Sequence, residues 1–415
     1  GDIHPEQVEM NQMIAKSTST DTEPTIVSPV ATKFKAQALD TKKPATLSSS
    51  IFNLSNTAVG AGILALPYAT SQVGWGLGLV LFIGCAIMTG FTLHINSMVA
   101  QIYRPQSSYK VLCDASIKYL SYFADFIIAL NTFGACCAYL IIVGQLWPDI
   151  IRHFGSDYHP ALYQRQMWIA IFFVVFLLPC IYWRKLDALR HVSAVGMLCY
   201  VYITLLVLSY AIIGIDPAEH ANATEKGSIT AKPLAPLNFF KVLPMFIFAY
   251  GCLMNTFPIV NELENCTDKR IDSIISISMS FVFVLYITMG LSGYFSFGSN
   301  CPDNLLMAYP TDLTEFLIAR ILLSLCVTFS YPVLFSPCRH CLASLFCCRK
   351  NANKGELETW KFILLTTFIW VLTLAVSMNV TSLGLLIAVD GAIAITAMTL
   401  VFPGLFYWFV RDNKL

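Results

Sequence analysis

From Pro44 to Tyr103 the chain carries no Asp, Glu, Lys or Arg. One membrane-crossing helix needs only ~20 apolar residues, so the run is too long for a single crossing and fits two. The rest of the composition agrees. Hydrophobic residues make up 56% of the 415 positions and charged residues 12%, about half of the ~25% usual for soluble domains. A net charge of +1 offers no field to a phosphate backbone or a strongly acidic partner. An ordinary soluble enzyme, a disordered chain and a nucleic-acid binder are excluded. The alternation of barrel strands is absent, and only helices or closed barrels can span lipid. The fold class is an all-α polytopic membrane protein.

Residues 1–48 are rich in Ser, Thr, Pro and charge and have no apolar run. They read as a disordered tail with no cleavable signal peptide. The transmembrane domain, 49–415, holds ten apolar segments, near 49–72, 74–102, 121–147, 166–183, 190–214, 239–262, 272–296, 314–338, 359–379 and 382–409. Basic residues orient them. With the tail in the cytoplasm, 20 of the 26 Lys and Arg fall inside and 5 outside, with Arg320 within span 8. Both termini are therefore expected to be cytoplasmic. Asn222, in the sequon Asn222-Ala223-Thr224, falls in the long outer loop between spans 5 and 6 and is the glycosylation candidate. Most of the 14 cysteines sit in apolar runs or inner loops, where free Cys is a small hydrophobe. Cys301 alone is expected in an outer loop, so no outer disulfide pair is available. Cys338, Cys341, Cys347 and Cys348 end span 8 and read as unmodified thiols ahead of palmitoylation or a zinc knuckle.

Span 1 reads Phe52-Asn53-Leu54-Ser55-Asn56-Thr57-Ala58-Val59-Gly60-Ala61-Gly62-Ile63-Leu64-Ala65-Leu66-Pro67. Polar Ser55, Asn56 and Thr57 sit at membrane depth, Gly60 and Gly62 favour unwinding, and Pro67 removes a donor. Either the helix is discontinuous there, or the small residues form a packing face. In span 6, Pro244, Gly251 and Pro258 interrupt another apolar stretch. Interrupted helices at matching positions point to two repeats of five spans, about 49–214 and 239–410. Five being odd, the second repeat is inverted, and the discontinuous reading is preferred.

The span 1 segment, together with Ala249-Tyr250, Pro258-Ile259, Asn261-Glu262-Leu263-Glu264 and Leu291-Ser292-Gly293-Tyr294-Phe295-Ser296-Phe297-Gly298, resembles the amino acid/auxin permease family over about 49–410. The sodium-coupled neutral amino acid transporter branch is the most similar. The resemblance implies a leucine-transporter-like 5+5 inverted repeat with alternating access. It also implies an eleventh helix, whereas ten are found, so that helix is apparently absent. The implied substrate site lies between spans 1, 3, 6 and 8. The α-carboxylate would meet N–H groups of Gly60, Ala61 and Gly62. The α-ammonium would meet carbonyls near Ala249 and Tyr250, with Asn56 beside it. Asn131 and Gly134 are candidate walls, Asn131 equally an interhelical hydrogen bond. The implied sodium site takes Asn56, the Val59 carbonyl and the hydroxyls of Thr328 and Ser330, unless those hydroxyls bond back to their own helix.

No charged side chain lies in either break, which favours neutral amino acids, since a charged substrate would lack a partner. Asp390, well inside span 10, is a possible proton-coupling group, because burial disfavours its charged form. Alternatively it pairs with Arg320. Asp125 is expected to face the cytoplasm. Glu262 and Glu264 read as a solvated end of span 6, and His94 as a packed polar residue of span 2. There is no phosphate-binding loop, nucleophile elbow or HExxH pair, so no enzymatic activity is expected, and no cofactor beyond a coupling ion. The function expected is Na+ symport of neutral amino acids, in the plasma membrane or an endolysosomal or vacuolar membrane. The alternatives are a proton-coupled amino acid transporter exporting from an acidic organelle and an amino acid-sensing receptor of the same fold. The expected partners are the small-molecule substrate and membrane lipids, and the oligomeric state is left open.

Overall fold

The computed structural model describes residues 45–104, 107–117, 119–155, 159–182, 192–214, 224–346 and 358–411. Asn222, Cys347, Cys348 and residues 1–44 of the expected tail lie outside the described residues. Among the described residues, eight helices are long and apolar enough to cross a membrane. The shorter apolar helix Arg165–Ile181 and a division of Ala61–Ile102 at Gly74 bring the crossings to ten. Gly74 has φ 77° and ψ 162°, a conformation that only glycine adopts without strain. A Cβ there would lie 2.6 Å from the Lys232 carbonyl oxygen. Gly74 thus turns span 1 into span 2 directly beneath the loop that leads to span 6.

Span 1 covers residues 47–73 and span 2 covers 75–102. Spans 3 to 6 are Leu120–Phe154, Arg165–Ile181, Val192–Ile213 and Asn238–Glu262. Spans 7 to 10 are Asp268–Phe297, Thr314–Phe346, Thr359–Asn379 and Leu383–Arg411. Spans 3 and 8 run several residues past their expected ends, span 3 through Pro148, and span 8 also keeps Pro332 and Pro337 inside its helix, because proline does not stop a helix whose freed groups neighbours re-satisfy. Span 4 winds as a π-helix over Phe173–Leu177, and span 10 does so over Gly391–Ile395 and Ala397–Val401.

Span 7 lies along span 2 and the first half of span 1, span 8 lies along span 3, and span 10 packs on spans 3 and 6. Large apolar side chains such as Ile87, Leu198 and Ile212 are exposed on the outside of the bundle, as a lipid-facing surface requires. A short helix between spans 2 and 3, Tyr109–Ser116, is too brief to register as an apolar run. Ser108 caps it by accepting from Val111 N–H at 3.2 Å, and the Tyr109 ring packs 4.6 Å from Phe257.

One face of the bundle carries the start of span 1, where Ala45 N–H donates to Glu262 O at 2.7 Å and Glu264 N–H donates to Ala45 O at 3.0 Å. This is the tail face. The opposite, far face carries the loops from span 5 to span 6 and from span 7 to span 8.

Candidate functional site

Span 1 is discontinuous. Its helix stops at Ala58, Val59 and Gly60 are extended, and a 3-10 turn Ala61–Ala65 leads into the helix that Pro67 opens. No side chain caps the N-terminus of that turn, so its first N–H groups have no intrahelical acceptor. Gly60 is half-buried between buried neighbours, and a Cβ on it would meet nothing within 4 Å. Space therefore adjoins the break.

Span 6 is discontinuous as well. Its helix ends at Ala249, Tyr250 to Cys252 are non-helical, a 3-10 turn covers Leu253–Asn255, and the helix resumes at Thr256. The two breaks touch: a Cβ on Gly62 would lie 3.1 Å from Ala249 Cα. Gly60, Ala61, Gly62, Ala249 and Tyr250 are thus brought together. Asn56 is half-buried in the last turn before the break. Buried Asn131 of span 3 donates to Met254 Sδ at 3.2 Å, so it reaches the far end of the span 6 break. Asn255 donates to Asn53 Oδ1 at 3.3 Å and to Thr57 Oγ1, tying that turn to the first half of span 1. Met254, Asn255 and Tyr286, whose hydroxyl approaches both breaks, carry no sequence signal beyond their residue type.

The expected sodium ligands do not converge as well. Thr328 donates to Ser324 O at 2.6 Å within its own helix. Among the described residues, no hydrogen bond joins Thr328 or Ser330 to span 1, and span 8 lies mainly against spans 3 and 5.

Asp390 is 5% exposed, and among the described residues neither of its carboxyl oxygens has a hydrogen-bond partner. It faces the backbone of span 3, where a Cβ on Gly134 would fall 2.7 Å from Asp390 Oδ2. Its neighbour Gly391 lies directly on the Pro244 carbonyl of span 6. Pairing with Arg320 is ruled out. That guanidinium, fully buried, donates to Leu306 O at 3.0 Å, Tyr309 O at 2.7 Å and Pro310 O at 3.3 Å. The carbonyls of a far-face loop draw it away from span 10.

Two other expectations change. Asp125 is buried instead of facing solvent, because span 3 begins a turn before it and packs on its neighbours. His94 is half-exposed, with Nδ1 2.6 Å from Asp272 Oδ1 of span 7, because it lies at the edge of the span 2 and 7 contact. Glu262 and Glu264 are exposed, as the sequence suggests.

The far side of the breaks is shut. Ile63, Leu64, Ala65 and Leu66 are buried. The turn Leu305–Met307 in the loop between spans 7 and 8 lies against the turn Ala61–Ala65. Asp303 of this loop accepts from Ser382 Oγ at 2.6 Å and from Gly384 N–H at 3.0 Å at the start of span 10. Fully buried Asn304 donates to Gln145 Oε1 of span 3 at 2.9 Å. The loop is a lid.

Two unwound helices that meet inside a membrane bundle are a feature of solute transporters. The chain belongs to the family described as transmembrane amino acid transporter protein, whose profile matches residues 43–415. It is 28% identical over 363 residues to vacuolar amino acid transporter 5 of Schizosaccharomyces pombe, covering 87% of this chain and 84% of that protein. It is 29% identical over 407 residues to vacuolar amino acid transporter 6 of Saccharomyces cerevisiae, covering 87% and 89%. Against the human sodium-coupled neutral amino acid transporter 7 it is 26% identical over 375 residues, covering 88% and 79%. The family is one of transporters, not of enzymes.

Proposed function

We propose that this chain is a secondary active transporter of neutral amino acids, working by alternating access and driven by protons bound at Asp390. The observation that carries the coupling is the carboxyl group of span 10, packed against spans 3 and 6 without a hydrogen bond or counter-ion among the described residues. An ionised carboxylate in that position is strongly disfavoured. Exchange of a proton between this group and either face requires the packing of span 10 on span 3 to open. Proton transfer and helix movement are thereby linked. The π-helical turns that follow Asp390 are places where a helix can change its winding.

Substrate recognition follows from the breaks. The amino acid carboxylate lies on the N–H groups of Gly60, Ala61 and Gly62, and the ammonium on the carbonyls at the end of the first half of span 6. No charged side chain belongs to either break, so a zwitterion with a neutral side chain is matched and a cationic or dicarboxylic one is not.

We take the tail face as cytoplasmic, from the excess of Lys and Arg on that side. The far face then looks into an organelle lumen or the exterior. The relatives named as vacuolar amino acid transporters support a vacuolar membrane as the location of this chain.

A sodium-coupled reading rests on half-buried Asn56 beside the space at Gly60 and on the relative named for sodium coupling. Proteoliposomes separate the two. Uptake of a neutral amino acid panel is measured under an imposed pH gradient without Na+, then under a Na+ gradient at equal pH. The proton reading expects uptake in the first arm and its loss in Asp390→Asn. Uptake that follows only the Na+ gradient and survives Asp390→Asn overturns it. Binding without flux in either arm favours a receptor.

A further inference from the structure

Tyr286 is fully buried in span 7 and points its hydroxyl at both breaks at once. Its Oη lies 2.6 Å from Ala58 O and 2.8 Å from Ala249 O. Ala58 and Ala249 are the last helical residues before the breaks of span 1 and span 6. Carbonyls at helix ends lack intrahelical partners, and leaving one unpaired in a dry interior is costly. The ring is set in place by Tyr250, packed edge-on with 5.1 Å between centroids. Tyr250 is itself anchored by donating to Phe82 O at 3.2 Å.

A hydroxyl has one proton. It can donate to Ala58 O or to Ala249 O, but not to both. One of the two carbonyls therefore always faces an oxygen at hydrogen-bond distance with no hydrogen between them. Two carbonyls converging on one point are matched by a group with at least two donors, and a primary ammonium has three. We propose that Tyr286 stands in for the substrate's α-ammonium in the unloaded carrier. Its O–H fills the junction of the two breaks until the ammonium arrives, donates to both carbonyls and displaces it. Tyr286 is then a positioning residue of the empty transporter, and its hydroxyl is not required once cargo is bound. This deepens the transport function proposed above and rests on it.

The consequence is kinetic. A carrier performing net uptake must return across the membrane empty, whereas one performing exchange crosses loaded in both directions. Without the hydroxyl, both carbonyls are unpaired only in the empty form. In proteoliposomes, Tyr286→Phe is expected to keep amino acid exchange within about twofold of the unmodified protein. Net uptake is expected to fall about tenfold, which corresponds to about 1.4 kcal/mol. Parallel loss of both fluxes overturns the proposal, since a merely structural tyrosine would lower them together. So does a raised KM in exchange, which would make Tyr286 a ligand of bound cargo. Thermal melting in detergent gives a readout without flux. Empty Tyr286→Phe should melt below the unmodified protein, and saturating amino acid should narrow that gap. An equal gap with and without amino acid overturns the proposal. If the unmodified protein itself moves and binds no amino acid, the transport reading fails first, a result distinct from failure of the variant.

Discussion

Arg320 and Asp390 are both ionisable side chains buried inside membrane-spanning helices, and their surroundings are opposite. Arg320 has its guanidinium spent on three loop carbonyls, a planar fork that an ammonium cannot copy. Arg320→Lys should therefore lower stability by about 1–3 kcal/mol, read as a fall in melting temperature, with the lid loop as the first region to exchange amide hydrogens. Asp390 has no hydrogen-bond partner among the described residues, and its carboxyl lies where a side chain on Gly134 would be. Gly134→Ala would force the carboxyl aside and should cost about 1–3 kcal/mol while weakening the response to a pH gradient. Combining Gly134→Ala with Asp390→Ala should recover most of the stability and none of the proton response. Additive losses in melting experiments would show that the two residues do not share this contact.

At the level of elements, both helix breaks were legible because glycine and proline act on the backbone itself. Gly60 and Gly62 lie at the break of one span and Gly251 at the break of the other, and Pro67 opens the helix beyond the first break, whereas Pro244 and Pro258, expected to interrupt span 6, lie within its two helical halves. The boundary between spans 1 and 2 was legible at 72–74, and the structure adds why the turn is fixed at Gly74. Gly74→Ala meets both a positive φ and three loop backbone atoms within 2.8 Å. It should destabilise the protein by at least ~1–2 kcal/mol, measured by thermal melting. A neutral effect would mean the loop before span 6 moves freely. Side-chain partners were not legible. Thr328 and Ser330 have the right chemistry for a cation, but hydroxyls in helices bond backward as readily as outward, and Thr328 does so. A tyrosine in an apolar helix reads as core, so nothing set Tyr286 apart from its neighbours before its two carbonyl partners were seen. Asp390 stood out because a carboxyl group in a membrane span is costly, but its pairing depended on where a distant loop takes Arg320.

Across the whole molecule the breaks are covered on the far face. On the far face, Asp303 holds the loop between spans 7 and 8 onto the start of span 10, and Asn304 holds it onto span 3. Toward the start of span 1, Gly60 is half-buried and Asn53 is exposed. Alternating access requires the far-face contacts to break when the tail-face contacts form. The Asp303 carboxylate serves two donors on span 10, the Ser382 hydroxyl and the Gly384 amide, and such charge-assisted bonds are worth about 1.5–3 kcal/mol each at most. Asp303→Ala removes both without touching the breaks, and it is expected to shift the population toward a form open on the far face. Hydrogen exchange would then quicken at Gly384 and at the amides of the turn Ala61–Ala65, which the lid covers, and not along spans 3 and 8, whose packing is common to both forms. Apparent affinity for amino acid presented from the far face should rise, and that from the tail face should fall, because a ligand binds more weakly when its competent state is less populated. If exchange quickens only in the loop itself and both affinities hold, the loop is a cover that moves independently, and the transition between faces must be governed by the packing of span 10 on spans 3 and 6.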